Sequence, residues 1–273
     1  MRFDLAQAQQ VFPPKIDFKD GHPQPSNAGT FHIDTSSEEE TSGRLQPSAP
    51  TSLLNPRDMM LLQRRDVSIE QRADYEHMLS EFTAANNQGQ DPVDFLRNLS
   101  KEGLDLLTKV HSFPAGMRVN IESMSKEEAI NFIVPDSAQV DLNNDGLIGS
   151  ANGSKSFRFP PVNAPQDVKD AWNEAMDGLP EKDQLLAQGM FMVLHVQANI
   201  TYDTAGNPVG IREPGDPEYR NPFAAQNFSY SDMVDKMLDQ LEAYKSYDSP
   251  ERYEWKKDIL TRFGDALGSK GTS

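Results

Sequence analysis

A mainly α-helical fold is predicted, on three observations. Apolar residues recur at helical spacing through most of the stretch from Pro56 to Phe263. Serine, aspartate and proline stand where helices should begin. Strand-like alternation is confined to a few short stretches. Together they imply about seven helices with short β elements over residues 56–268, enough chain to bury a single core.

The helices are taken in order. Ser68 followed by Gln71 fits a capping box, and Ile69, Ala73, Tyr75, Met78, Leu79 and Phe82 then keep helical spacing up to a stop at Gly89. Asp91-Pro92 reads as a cap with proline at the first helical position, opening a helix whose apolar face runs from Phe95 and Leu96 through Leu99, Leu106 and Leu107 to Val110. Ser125 with Glu128 is a second capping box, and that helix should end before Pro135. Val168, Ala171, Trp172, Ala175 and Met176 mark another, ending at Gly178. The segment from Pro180 to Gln197 is the most apolar, with Leu185, Leu186, Met190, Val193 and Leu194, and is expected to be the central buried helix. Two more helices follow, one from Ser231 to Tyr247 and one from the Ser249-Pro250 cap through Phe263.

Strand signals are brief. Met117, Val119 and Ile121 alternate with polar residues, as do Phe157 and Phe159. Ile200 and Tyr202, then Val209 and Ile211, flank a Thr-Ala-Gly-Asn turn and predict a small hairpin. Residues 212–230, rich in Pro, Gly and Asn, read as a long surface loop. Residues 1–55 carry six prolines, the run Glu38-Glu39-Glu40 and many small polar residues, so they read as a disordered arm. Phe3, Leu5, Val11 and Phe12 are its apolar exceptions. A flexible tail is expected at 269–273.

The net charge of −16, with no cluster of Lys and Arg, argues against nucleic acid as a partner; another protein is the expected one. The absence of cysteine excludes disulfides, thiolate metal sites and thiol nucleophiles. No apolar run reaches the roughly 18 residues of a spanning helix, so no membrane insertion is expected. The start lacks the apolar stretch of a secretory signal, which makes the cytoplasm the default compartment and leaves signal-independent export open.

One segment has its chemistry nearly dictated by residue order. Residues 141–152 read Asp-Leu-Asn-Asn-Asp-Gly-Leu-Ile-Gly-Ser-Ala-Asn. Oxygen-bearing side chains fall at the first, third and fifth positions, on Asp141, Asn143 and Asp145. Gly146 permits a sharp turn, and the carbonyl of Leu147 can add a fourth oxygen. Calcium takes six to eight oxygens at about 2.3–2.6 Å, and alternate residues of a tight loop can aim several inward. The loop resembles the EF-hand family, in its dockerin-like variety, over these twelve residues alone. That resemblance implies Asp141, Asn143 and Asp145 as side-chain ligands, Leu147 as a carbonyl ligand, a water beside Gly149, and backbone pairing of Ile148 with a neighbouring strand. It places Asn152 at the last ligand position, where the family carries Glu or Asp.

The missing carboxylate predicts one weakly bound calcium ion, with Kd of about 10⁻⁴–10⁻³ M. Pro135 and the Ala-Asn-Gly-Ser-Lys-Ser run leave room for no more than a very short incoming helix at 137–140. The Asp203-Thr-Ala-Gly-Asn207 turn has the wrong spacing to be a second such loop.

Other constellations read as structure. His77 and Glu81 suit a solvated helix face, His195 a satisfied core histidine, and His111 a helix C-terminus. Asn199-Ile-Thr201 matches a glycosylation acceptor. No nucleophile elbow, P-loop or dinucleotide fingerprint occurs, and no catalytic residue is singled out. The leading expectation is a non-enzymatic calcium-binding protein in which the ion orders a loop and the protein serves binding or assembly. Two alternatives stand beside it: a hydrolase or lyase with a structural calcium, and an appendage or secretion-associated structural protein.

Overall fold

The computed structural model describes residues 53–114, 116–225 and 228–270, and helix dominates them, with strands of three or four residues only. The arm before Leu53 and the last three residues lie outside the described part. The buried residues form two separate clusters and the chain divides into two compact units, in place of the single core expected over 56–268.

The first unit holds, of the described residues, those up to Val140 together with Gly149–Lys155. Its helices are α1 (Pro56–Arg64), α2 (Ile69–Asn87), α3 (Pro92–Arg97), α4 (Lys101–Val110) and α5 (Lys126–Ile133). Both capping boxes form. The Ser68 hydroxyl accepts from Gln71 N–H while the Gln71 side chain accepts from Ser68 N–H, and Ser125 and Glu128 do the same. The single helix expected from Pro92 to Val110 is two. Asn98 closes α3 by donating from its side chain to the Asp94 carbonyl at 2.8 Å. Ser100 then caps α4 by accepting from Gly103 N–H. Nor does the alternation at Met117–Ile121 form a strand; Ile121–Ser123 is a turn of 3₁₀ helix.

The core of this unit is aliphatic around a few rings, with Leu62, Leu96, Leu107, Val110, Phe132 and Ile133. Fully buried Tyr75 donates its hydroxyl to the Ile133 carbonyl at 3.0 Å. Arg65 pairs with Asp136 at 2.7 Å, and buried Asp58 accepts from Ser137. His111 does not present a cation to solvent at the end of α4. Its side chain is 7 % exposed and packed by Phe113 and Phe132, and burial pulls its pKa down to about 4.

The second unit holds Asp141–Ile148 and the described residues from Ser156 on. It contains α6 (Gln166–Met176), α7 (Glu181–Asn199), α8 (Tyr230–Ala243) and α9 (Pro250–Lys270). α9 packs on α6 and α8, and its helix runs two residues into the expected tail. Aromatic rings build the core. Phe159 stacks on Phe191 with centroids 3.8 Å apart, and Trp172 and Phe263 meet both edge-on. Such rings bury large areas and favour offset or edge-to-face packing.

That packing chooses the buried face of α7. Ala187, Phe191, Leu194 and His195, spaced as one helical stripe, are inside. Leu185 and Leu186 are outside, Leu186 at 51 % exposure, so the helix is only half buried and not central as expected.

Two ribbons complete the structure. β1 (Leu147–Gly149) pairs with β2 (Lys155–Phe157). β3 (Ile200–Tyr202) pairs antiparallel with β4 (Pro208–Ile211), Ile200 opposite Ile211, as the hairpin reading predicted. The described part of 212–230 is less open than expected: Pro222–Ala224 is a 3₁₀ turn that buries Phe223, and α8 starts at Tyr230.

Candidate metal centre

Asp141 and Asp145 are buried and carry their carboxylates into the same turn. Backbone amides aim them. One Asp141 oxygen accepts from Asp145 N–H at 3.1 Å and the other from Gly146 N–H at 2.8 Å. Asn143 Oδ1 accepts from Asp145 N–H at 2.9 Å, and Asp145 Oδ1 from Leu147 N–H at 2.9 Å. The last two are successive Asx turns, the local bonding for which Asp and Asn are suited. Asn143 Nδ2 also donates to Asp145 Oδ2 at 3.1 Å, joining the second and third side chains.

The backbone is correspondingly bent. Asn144 has φ of 55° and Gly146 of 81°. Asn tolerates that region; at Gly146 there is also no room, since a Cβ would lie 2.8 Å from the Asn221 side chain and 2.9 Å from His195 Cε1.

Three side chains distant in sequence grip this loop from outside. Asn163 Nδ2 donates to the Asp141 carbonyl at 2.8 Å and to Asn144 Oδ1 at 3.1 Å. Asn221 Nδ2 donates to the Asn144 carbonyl at 3.0 Å. The Tyr219 hydroxyl donates to the Asp145 carbonyl at 3.3 Å and also meets His195 Nε2. Buried His195 Nδ1 has no partner; with the Tyr219 hydroxyl donated to the Asp145 carbonyl, Nε2 is left to donate to the Tyr219 oxygen. Burial lowers the His195 pKa, with the Asp145 carboxylate opposing. Burial raises that of Tyr219, and Asp145 and Asp141 push the same way. His195 is thus a core histidine, as the sequence implied, but only half satisfied, with Nε2 partnered and Nδ1 not. Sequence reasoning singled out none of Asn163, Tyr219 and Asn221, which stand 18 to 76 residues beyond Asp145 with no local pattern to announce them.

The predicted residues fare differently. Asp141, Asn143, Asp145 and the start of β1 at Leu147 share one turn. Ile148 is buried within paired β1. Asn152 is exposed at the tip between β1 and β2, where its Oδ1 accepts from the Ser154 N–H at 3.0 Å and hydroxyl at 2.6 Å. In the first unit, Asn131 of α5 bonds both the N–H and the carbonyl of Val140 and also the carbonyl of Gly149, the residues that bracket 141–148 in the chain. Glu127 accepts from Gly149 N–H at 2.9 Å. The short incoming helix expected at 137–140 is a 3₁₀ turn at Asp136–Ala138.

Among the described residues, no group of three or more His, Asp or Glu side chains gathers as a metal site. The loop's own set is two carboxylates, an amide oxygen and a carbonyl, which is oxygen chemistry suited to a hard cation rather than to a transition metal. His77 and Glu81 are 3.5 Å apart on a solvated face of α2. Asn199, in the glycosylation motif, is 1 % exposed and bonded on both sides of its amide, so no glycan can reach it in the folded unit. No helix of the described residues is long and apolar enough to cross a membrane. A scan against protein-family models and searches of curated proteins and of solved structures gave no match to the chain.

Proposed function

We propose that residues 141–147 hold one calcium ion weakly, and that the protein is a non-enzymatic binding or assembly protein whose loop the ion fixes. The observation that carries this reading is the gathering of two buried carboxylates, Asp141 and Asp145, in a single turn by backbone N–H groups. Two like charges so close repel, and a divalent cation relieves the repulsion. Asn143 Oδ1 and the Leu147 carbonyl add oxygens. Asn152, committed to Ser154, joins only by giving up those bonds, which agrees with weak binding. The binding role draws on exposed apolar side chains of the second unit: Leu185 and Leu186 on α7, and Tyr202, Val209 and Ile211 on the hairpin.

Terbium luminescence tests the reading. Terbium substitutes for calcium and is excited through a nearby tyrosine, and Tyr219 touches the loop. Sensitised emission should appear in wild type, be displaced by millimolar calcium and vanish in Asp145→Ala. Emission that survives Asp145→Ala, or none in wild type, would reduce the loop to an ordinary turn.

A further inference from the structure

We infer, on the footing of the calcium reading above, that Asn163, Tyr219 and Asn221 are positioning residues that set the ion affinity of the loop and its preference for calcium over magnesium. Four of their hydrogen bonds reach Asp141, Asn144 and Asp145, three of them to backbone carbonyls. The loop's own side chains are used on its inner amides. The ring of the turn is therefore held from two sides, by its own Asx bonds and by donors from elsewhere in the second unit. Asn144 needs the outer hold most, because it is a non-glycine residue in the left-handed region and its carbonyl is the one that Asn221 takes.

The outer donors are themselves fixed. Asn221 Oδ1 accepts from Phe223 N–H at 3.0 Å, which leaves its Nδ2 for the loop. Tyr219 is seated against His195 of α7. Between them the backbone of Arg220 is held by the side-chain amide of Asn199, the last residue of α7, whose Nδ2 donates to the Arg220 carbonyl and whose Oδ1 accepts from Arg220 N–H, both at 2.8 Å. Segment 219–221 is thus mounted on α7 and hands that rigidity to the loop. A mounted loop resists contraction. Calcium sits about 2.3–2.6 Å from its oxygens and magnesium about 2.0–2.1 Å, so stiffness at the larger size disfavours magnesium. Outer partners of this kind typically carry about 10- to 100-fold in metal affinity.

The test uses the full chain as wild type, Asn163→Ala, Asn221→Ala and Tyr219→Phe. Calcium and magnesium affinities come from calorimetric titration, and melting is followed in chelator. Asn163→Ala and Asn221→Ala should weaken calcium by about tenfold or more and magnesium by less, narrowing the ratio, while chelated melting temperatures stay near wild type. Tyr219→Phe should act in the same direction, since it loses the long bond to the Asp145 carbonyl and the bond to His195 Nε2. If wild type takes up no calcium at about 10 mM, the calcium reading fails and this inference with it. If wild type binds but both asparagine variants bind within twofold of it, the calcium reading stands and the positioning role is overturned. A loss of affinity matched by an equal loss of chelated stability would likewise overturn it, as the mark of a merely structural bond. Should Asn221→Ala fail to fold, exposed Asn163 decides the matter alone.

Discussion

Two turns of the second unit use nearly the same residues to different ends. At the hairpin tip, Asp203 accepts from Ala205 and Asn207 N–H at 2.9 and 2.8 Å and from the Asn207 side chain at 3.0 Å, with Gly206 at φ of 85°. In the candidate ion loop, Asp141 and Asp145 accept from backbone amides in the same manner, with Gly146 at 81°. Yet Asp203 is exposed and its turn is closed by its own atoms, whereas Asp141 and Asp145 are buried and their turn is gripped by Asn163, Tyr219 and Asn221. Local bonding makes a turn in either place. Only burial and outside donors set the second apart.

If burial rather than residue type draws this distinction, the largest effect should come from α7, where similar apolar residues lie on opposite faces. Phe191→Ala empties a fully buried ring site stacked on Phe159 and should cost about 3–5 kcal/mol. Leu186→Asp on the exposed face should stay within about 0.5 kcal/mol. Urea melts of the two variants measure this; a Leu186→Asp protein that unfolds would restore the expectation of a central helix.

The glycines compare the turns directly. Alanine at Gly146 meets both a strained backbone and the side chains of Asn221 and His195, and should cost about 3 kcal/mol or more. Alanine at Gly206 meets open space and should cost about 1–2 kcal/mol, for the backbone alone. Equal losses in chemical denaturation would show that the outer grip has no energetic weight.

Acid supplies a control from the first unit, where a histidine is the buried group. His111 has its pKa lowered from 6.5 to about 4, so the unfolded chain binds the proton more readily. Its stabilising contribution is full above pH 6.5, falls as the pH drops from there toward 4, and is flat below; the loss is about 3 kcal/mol at most. Denaturation of chelated protein across that window should show this slope, and His111→Leu should lose it. A slope that calcium abolishes would tie it to the loop carboxylates instead.

Calcium itself should have a modest effect. With Kd near 10⁻³ M, about 10 mM calcium stabilises by roughly 1.4 kcal/mol, and magnesium by less. Asp203→Ala should keep the resulting rise in melting temperature and Asp145→Ala should lose it. Loss in both would make the two turns equivalent and sink the distinction.

The sequence by itself determined the local events. Both capping boxes, the stops before Pro135 and at Gly178, the β3–β4 hairpin and the Asx turns of residues 141–147 all lie within a few residues of the groups that cause them, so residue order sufficed. It also announced Asp141, Asn143 and Asp145 as neighbours, because their spacing is the turn. Only the tertiary structure decided the rest. Which face of α7 is buried was settled by Phe159, Trp172 and Phe263 from other elements, on a helix with apolar residues on more than one face. The break at Asn98–Ser100 is the exception, a local stop and cap made by Asn98 on the Asp94 carbonyl and Ser100 on Gly103 N–H, which the continuous apolar spacing masked. The grip of Asn163, Tyr219 and Asn221 on the loop joins residues up to 77 positions apart, and no periodicity or spacing encodes a hydrogen bond made only when distant segments are packed together.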